Sequence, residues 1–116
     1  MLSNTYKIKP WQLLNMTILA ILTGDGLTKE MYENVRKEVN WEGNPPPGVI
    51  FHAMSFDDSG KFCVAEVWES EEQWNNFFNG RLKSSMQKTN VSPPKAQILQ
   101  IHKIDALPGL DRYKVH

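Results

Sequence analysis

One cysteine, Cys63, is all the sulfhydryl chemistry this chain of 116 residues has. It cannot form an internal disulfide, and without a CxxC or a Cys/His cluster there is no zinc spacing to read. A reducing, cytoplasmic setting is the expectation that follows. Charge of one sign is lacking too: 13 basic residues balance 13 acidic ones. That leaves no basic footprint for a nucleic acid. Long apolar runs are also missing. Trp11 to Leu22 is broken by Gln12 and Asn15, and is too short to cross a bilayer. Lys7 and Lys9 ahead of it imitate a secretion signal, but Thr23-Gly-Asp-Gly-Leu27 follows where a small-residue cleavage site would stand. Residues 1–15 therefore read as an N-terminal arm. There is no glycine-rich phosphate loop, GxSxG or HExxH.

What is present suits one small globular domain: 41% hydrophobic and 22% charged residues. Met16–Thr23 is apolar on both alternating faces, with Ile18, Ala20 and Leu22 on one and Leu19 and Ile21 on the other. A strand buried on both sides reads this way. Thr28 is a fitting N-cap for a helix over 28–40, with Glu30 in its first turn and Tyr32, Val35 and Val39 at helical spacing. The proline cluster within Gly43–Gly48 ends it. Val49–Phe56 and Lys61–Glu69 form a hairpin, its loop closed by Gly60 in the left-handed position. Ser70 and Gln73 make a capping box for a second helix, whose stripe is Trp74, Phe77, Phe78 and Leu82. Asn79-Gly80 kinks or ends it before a second piece over 81–89. Ala96–Ile104 is the fourth strand, and 105–116 is a polar tail.

The order β-α-β-β-α-β over residues 16–104 predicts an α+β, ferredoxin-like domain with a four-stranded antiparallel sheet, strands one and three central. Helices cover one sheet face. The other is left apolar and bare, which calls for a partner, most economically a second copy in a two-fold homodimer.

Register locates the chemistry. If Asp57 pairs with Lys61, then His52 faces Glu66, Ile50 faces Trp68 and Met54 faces Val64, all on one face. Phe51, Ala53, Cys63, Ala65 and Val67 take the opposite face and suit packing against helices. Cys63 reads as a small buried hydrophobe. Glu66, in the middle of a central strand, is costly to bury without a partner, and His52 supplies one. The pair either fixes dimer register or acts on a ligand as acid and base. Ile50, Met54, Val64, Trp68 and Phe78 either pack the core or line a ligand pocket. Arg81 is either a solvated helix residue or an anchor for an anionic substrate.

Val67-Trp-Glu-Ser-Glu-Glu-Gln-Trp74 followed by Phe77-Phe78 resembles the dimeric α+β barrel superfamily, which includes antibiotic-biosynthesis-type and haem-degrading monooxygenases. Pro47-Gly48-Val-Ile-Phe-His52 and the Gly60 hairpin are similar too. The likeness implies a homodimer with a pocket for a small organic molecule. It further implies a cofactor-independent oxidation of an electron-rich, deprotonatable substrate, with His52 as base and Glu66 behind it. Trp68 matches the tryptophan of the haem-degrading branch. Phe78 stands where that branch has histidine, and Met16–Thr23 lacks its asparagine, so haem becomes the minor alternative. A non-catalytic ligand-binding or stress-related dimer is the other.

Overall fold

The computed structural model describes residues 16–115; the arm assigned to 1–15, and His116, lie outside the described residues. The elements run β1 (Ile18–Asp25), α1 (Lys29–Val39), β2 (Val49–Phe56), β3 (Lys61–Trp68), α2 (Glu71–Phe77), a π-helical turn (Phe78–Leu82), α3 (Lys83–Lys88) and β4 (Lys95–Gln100). A 3-10 turn, Pro108–Tyr113, lies within the exposed tail. The antiparallel sheet has the order β2-β3-β1-β4, so β3 and β1 are central as expected. This is the ferredoxin-like arrangement.

Local chemistry sets the ends. The Thr28 hydroxyl accepts from the Met31 amide at 3.0 Å and starts α1. Its C-terminus comes at Asn40, in the left-handed conformation (φ 61°), whose amide donates to the Arg36 and Lys37 carbonyls. The helix thus stops before the proline cluster rather than because of it. In the hairpin the Asp57 amide donates to the Lys61 carbonyl at 2.9 Å, and Gly60 has φ +89°. Ser70 caps α2 by accepting from the Gln73 amide at 3.2 Å. The Gln73 side chain does not reach back to the Ser70 amide, as a capping box would have it; its Oε1 accepts from the Ser70 hydroxyl at 2.9 Å.

Asn79-Gly80 neither ends nor breaks the second helix. The π-helical turn takes up an extra residue and the chain runs on into α3. Strand β4 is shorter than expected. Its ladder on β1 ends where Ile18 meets Gln100, and only the Ile101 amide, bonded to the Thr17 carbonyl at 3.1 Å, extends it. His102 lies beyond the strand.

Two expectations about the sheet are overturned. The helices cover the face bearing Ile18, Ala20, Leu22, Val64, Glu66 and Trp68, all buried, with Trp74, Phe77 and Val39 closing the core from above. The opposite face is the bare one. Bulky Trp68, fully buried, fills the depth that only a helix layer provides, while Ala53, Cys63 and Ala65 leave the other side flat. Cys63 is therefore exposed, not buried.

The second correction is a bulge. The pairings Phe51–Val67, His52–Glu66 and Met54–Val64 hold, but Trp68 pairs with Val49. Ile50 is the extra residue; it is 54% exposed and does not face Trp68.

Candidate active site

Glu66 is held at the centre of the sheet between His52 on β2 and Ala20 on β1. The small alanine leaves room for a carboxylate under the helices, where Glu66 is only 4% exposed. Both carboxylate oxygens are used. Oε1 accepts from the Trp68 indole N–H at 3.0 Å, and Oε2 meets His52 Nδ1 at 2.8 Å. The cost of burying this charge is offset by two directed hydrogen bonds.

The chain of contacts continues outward. His52 Nε2 lies 2.7 Å from the hydroxyl of Tyr32 on α1. Arg36, one turn further along α1, donates from Nη1 to the same hydroxyl at 2.8 Å, and its Nε donates to Glu42 in an ion pair. Trp68 can only donate and Arg36 can only donate, which orders the network. With Glu66 ionised and His52 neutral, Glu66 accepts from Nδ1–H of His52, and Nε2 accepts from the Tyr32 hydroxyl, whose oxygen accepts from Arg36. The Tyr32 and His52 ring planes are 8° apart with centroids at 6.1 Å. With the hydroxyl on Nε2 this is end-on contact within a shared plane, where the nitrogen lone pair points, rather than face-to-face stacking. Trp41 lies against the imidazole at 4.9 Å, and the Arg36 guanidinium sits 5.6 Å over its ring.

Burial pushes the Tyr32 hydroxyl above its ordinary pKa of 10.0, although the Arg36 charge beside it pulls the other way. For Arg36, burial works against the charge, yet its bonds to Glu42 and Tyr32 hold its pKa above the usual value. Glu42, exposed, is lowered by its bond to Arg36.

Tyr32, Arg36, Trp41, His52 and Glu66 border a cavity of about 90 Å³ between sheet and helices. One water needs roughly 10–15 Å³ on such a measure, so the space suits a molecule on the order of a single ring. Its walls are otherwise mainly apolar, from Leu22, Met54, Phe62, Val64, Phe77 and Met86.

Of the residues singled out in the sequence, His52, Glu66, Met54 and Val64 meet at this cavity. Trp68 does not line it and donates instead to Glu66. Ile50 is displaced by the bulge. Phe78 stacks on Trp74 (4.8 Å, 15°) and is not a cavity wall. Arg81 does not border this cavity: its Nη2 donates to the Val39 carbonyl at 2.7 Å and the Asn44 carbonyl at 2.6 Å. It ties the end of α1, where carbonyls lack helical partners, to the π-helical turn. Tyr32, Arg36, Trp41 and Glu42 were missed. Tyr32 reads as core stripe at helical spacing, and the available signal was Arg36 four residues on, on the same helix face. Among the described residues, no group of three or more His, Cys, Asp or Glu could hold a metal ion. No described helix is long and apolar enough to cross a membrane.

No family model and no curated protein matches the chain. Solved structures do. A protein from Chloroflexus aurantiacus, provisionally named an antibiotic biosynthesis monooxygenase, aligns with a TM-score of 0.56 at 11% identity, over 78% of this chain and 97% of its own. A Nitrosomonas europaea protein of unknown function gives 0.57 at 15% identity, over 82% and 99%. A conserved Bacteroides thetaiotaomicron protein of unknown function, described as a possible oxidoreductase, gives 0.55 at 13%, over 75% and 99%. This chain has their fold. At such identities the likeness extends to the β-α-β-β-α-β architecture of antibiotic-biosynthesis-monooxygenase-like structures and leaves the chemistry to be argued from the side chains.

Proposed function

We propose that the protein is a small-molecule enzyme that oxidises an electron-rich, deprotonatable organic substrate with molecular oxygen and without a cofactor. One observation carries this reading: an imidazole, oriented by a buried carboxylate, stands at one end of an apolar cavity of single-ring size. The names given to structures of the same fold point the same way. His52 is the base that drives the substrate's deprotonation, and Glu66 holds its tautomer and stabilises the imidazolium. The resulting anion is electron-rich enough to reduce oxygen. For a quinol, oxygen places one atom on the ring and releases the other as water, giving a hydroxyquinone; the substrate supplies all four electrons.

Oxygen uptake over a panel of quinol-like substrates tests it. Wild type is expected to consume oxygen, and His52→Ala to lose about a hundredfold or more in kcat. Unchanged rates in the variant would remove His52 from the mechanism, and no uptake with any substrate would remove the oxidation.

A ligand-binding or stress-related dimer is the second reading. It is favoured by the pairing of both His52 ring nitrogens and both Glu66 oxygens within the chain. On that reading, replacing His52 and Glu66 together by apolar residues leaves assembly and ligand affinity intact. Either way, the bare sheet face is the surface for a second copy. The exposed Phe51 and Leu99, with half-buried Leu19, Ile21 and Val67, support that role.

A further inference from the structure

We propose that Tyr32, and not His52 directly, is the catalytic residue that meets the substrate's acidic proton, and that the substrate is a single-ring phenol or enol. The proposal rests on the acid–base reading above and refines it. His52 has two ring nitrogens. Nδ1 is engaged by Glu66, and Nε2, 2.7 Å from the Tyr32 hydroxyl, is taken as well. No nitrogen of the base is left for a substrate unless the tyrosine moves. The tyrosine is not free to move, because Arg36 holds the same oxygen at 2.8 Å and is itself held by Glu42.

The chemistry then runs through the phenol. A substrate hydroxyl donates to the remaining lone pair of the Tyr32 oxygen. The substrate O–H bond breaks as a new Tyr32 O–H forms, and the original Tyr32 proton passes to His52 Nε2. The products are a substrate oxyanion, a neutral tyrosine and an imidazolium facing Glu66. Charge is conserved, and no oxidant is needed for this step. A tyrosine hydroxyl is protonated at neutral pH, and burial raises the Tyr32 pKa further, so it has a proton to pass on. Arg36, also bordering the cavity, supplies the positive charge beside the new oxyanion. Its positioning role is thus twofold: it fixes the phenol and faces the anion.

Substrate class follows from the lining. Polar groups gather at the Tyr32–His52 end, with Ser92 the other polar contributor, and the remaining walls are apolar. A ring with one acidic hydroxyl matches that distribution. A second charged group would be buried against leucine, methionine and phenylalanine without a partner.

Para-nitrophenol is the probe, since it has the right size and its colour reports ionisation. Bound to wild type, it is expected to ionise at lower pH than the free dye. Tyr32→Phe should still bind it but return its apparent pKa to the free value, and Arg36→Lys should shift it partway. The groups that face the phenol are Arg36 and Glu33 from α1, His52 and Glu66 from the sheet, and Glu42 beyond Arg36; the pH titration is run on all three proteins to separate them. In turnover, Tyr32→Phe should lower kcat about a hundredfold with KM nearly unchanged. Dye ionisation unchanged in Tyr32→Phe but lost in His52→Ala would show that His52 takes the proton itself, and would overturn the proposal. Failure of the dye to bind would overturn the substrate class. Dye ionised through Tyr32, with no oxygen uptake on any quinol, would leave the proton relay standing and sink the oxidation.

Discussion

Replacing Glu66 by glutamine changes one atom and is expected to reverse the direction of the whole network. The indole N–H of Trp68 can only donate, so the glutamine must turn its carbonyl oxygen toward Trp68. Its amide NH2 then points at His52 Nδ1, which has to accept. The imidazole proton moves to Nε2, where it faces the Tyr32 hydroxyl. That hydroxyl now accepts from both His52 and Arg36, and its own proton is left without a partner. Losing a charge-assisted bond for a neutral one and stranding one half-buried donor should cost about 1–2 kcal/mol. Glu66→Ala is a harsher change. It strands the indole N–H, releases His52 and leaves a void under the helices, for about 2–4 kcal/mol. Urea unfolding followed by tryptophan fluorescence reads both. With a slope of about 1.5 kcal/mol per M, the alanine variant should lose on the order of 2 M in midpoint. Nitrogen-15 NMR of labelled histidine reads the tautomer directly. Retention of Nδ1–H in Glu66→Gln, or a loss below about 1 kcal/mol in Glu66→Ala, would refute the network as drawn.

Three further outcomes can be checked by the same unfolding measurements. Arg81→Ala removes two bonds to backbone carbonyls and should cost about 1–3 kcal/mol, with hydrogen exchange rising at the end of α1; an effect within 0.5 kcal/mol, the range of about ordinary surface substitutions, would deny its tethering role. Gly48 has φ +97°, and a Cβ there would come within 2.5 Å of the Gln73 side chain, so Gly48→Ala should destabilise by about 1–3 kcal/mol, whereas Gly60→Ala, at φ +89° but in open space, should cost less. The pH dependence has two limbs. Asp57 and Glu42 have lowered pKa values, Asp57 chiefly through its bond from Ser59 and Glu42 through Arg36, so the stability they provide is present above their ordinary values of 3.8 and 4.5 and is lost as pH falls through the lower folded ones. Tyr32, raised by burial, contributes stability that is complete below pH 10.0 and lost as pH climbs through its folded value; Tyr32→Phe should flatten that alkaline limb, and an unchanged limb would count against it.

Much of this protein was legible from its residues alone, for reasons that are local. Thr28, Ser70 and the Asp57–Gly60 loop act within a few positions of themselves, so caps and hairpin could be placed without tertiary knowledge. The hairpin loop in turn set the register that brings His52 opposite Glu66. Alternation of apolar residues on both faces marked β1 and β3 as central.

Tertiary structure decided what depends on which layers meet. Alternation shows that a strand has two faces, but not which one the helices choose; the bulk of Trp68 and the flatness of Ala53, Cys63 and Ala65 decide that only once the helices are docked. The bulge at Ile50 breaks period two, so no pattern could carry register across it. Arg81 was turned toward the Val39 and Asn44 carbonyls by a π-helical turn whose extra residue shifts every later side chain. Tyr32 became part of the site because α1 crosses the sheet above His52, a meeting of residues twenty positions apart. The sequence by itself determined the His52–Glu66 pair; the docking of α1 determined that the Tyr32 hydroxyl and the Arg36 guanidinium continue its network.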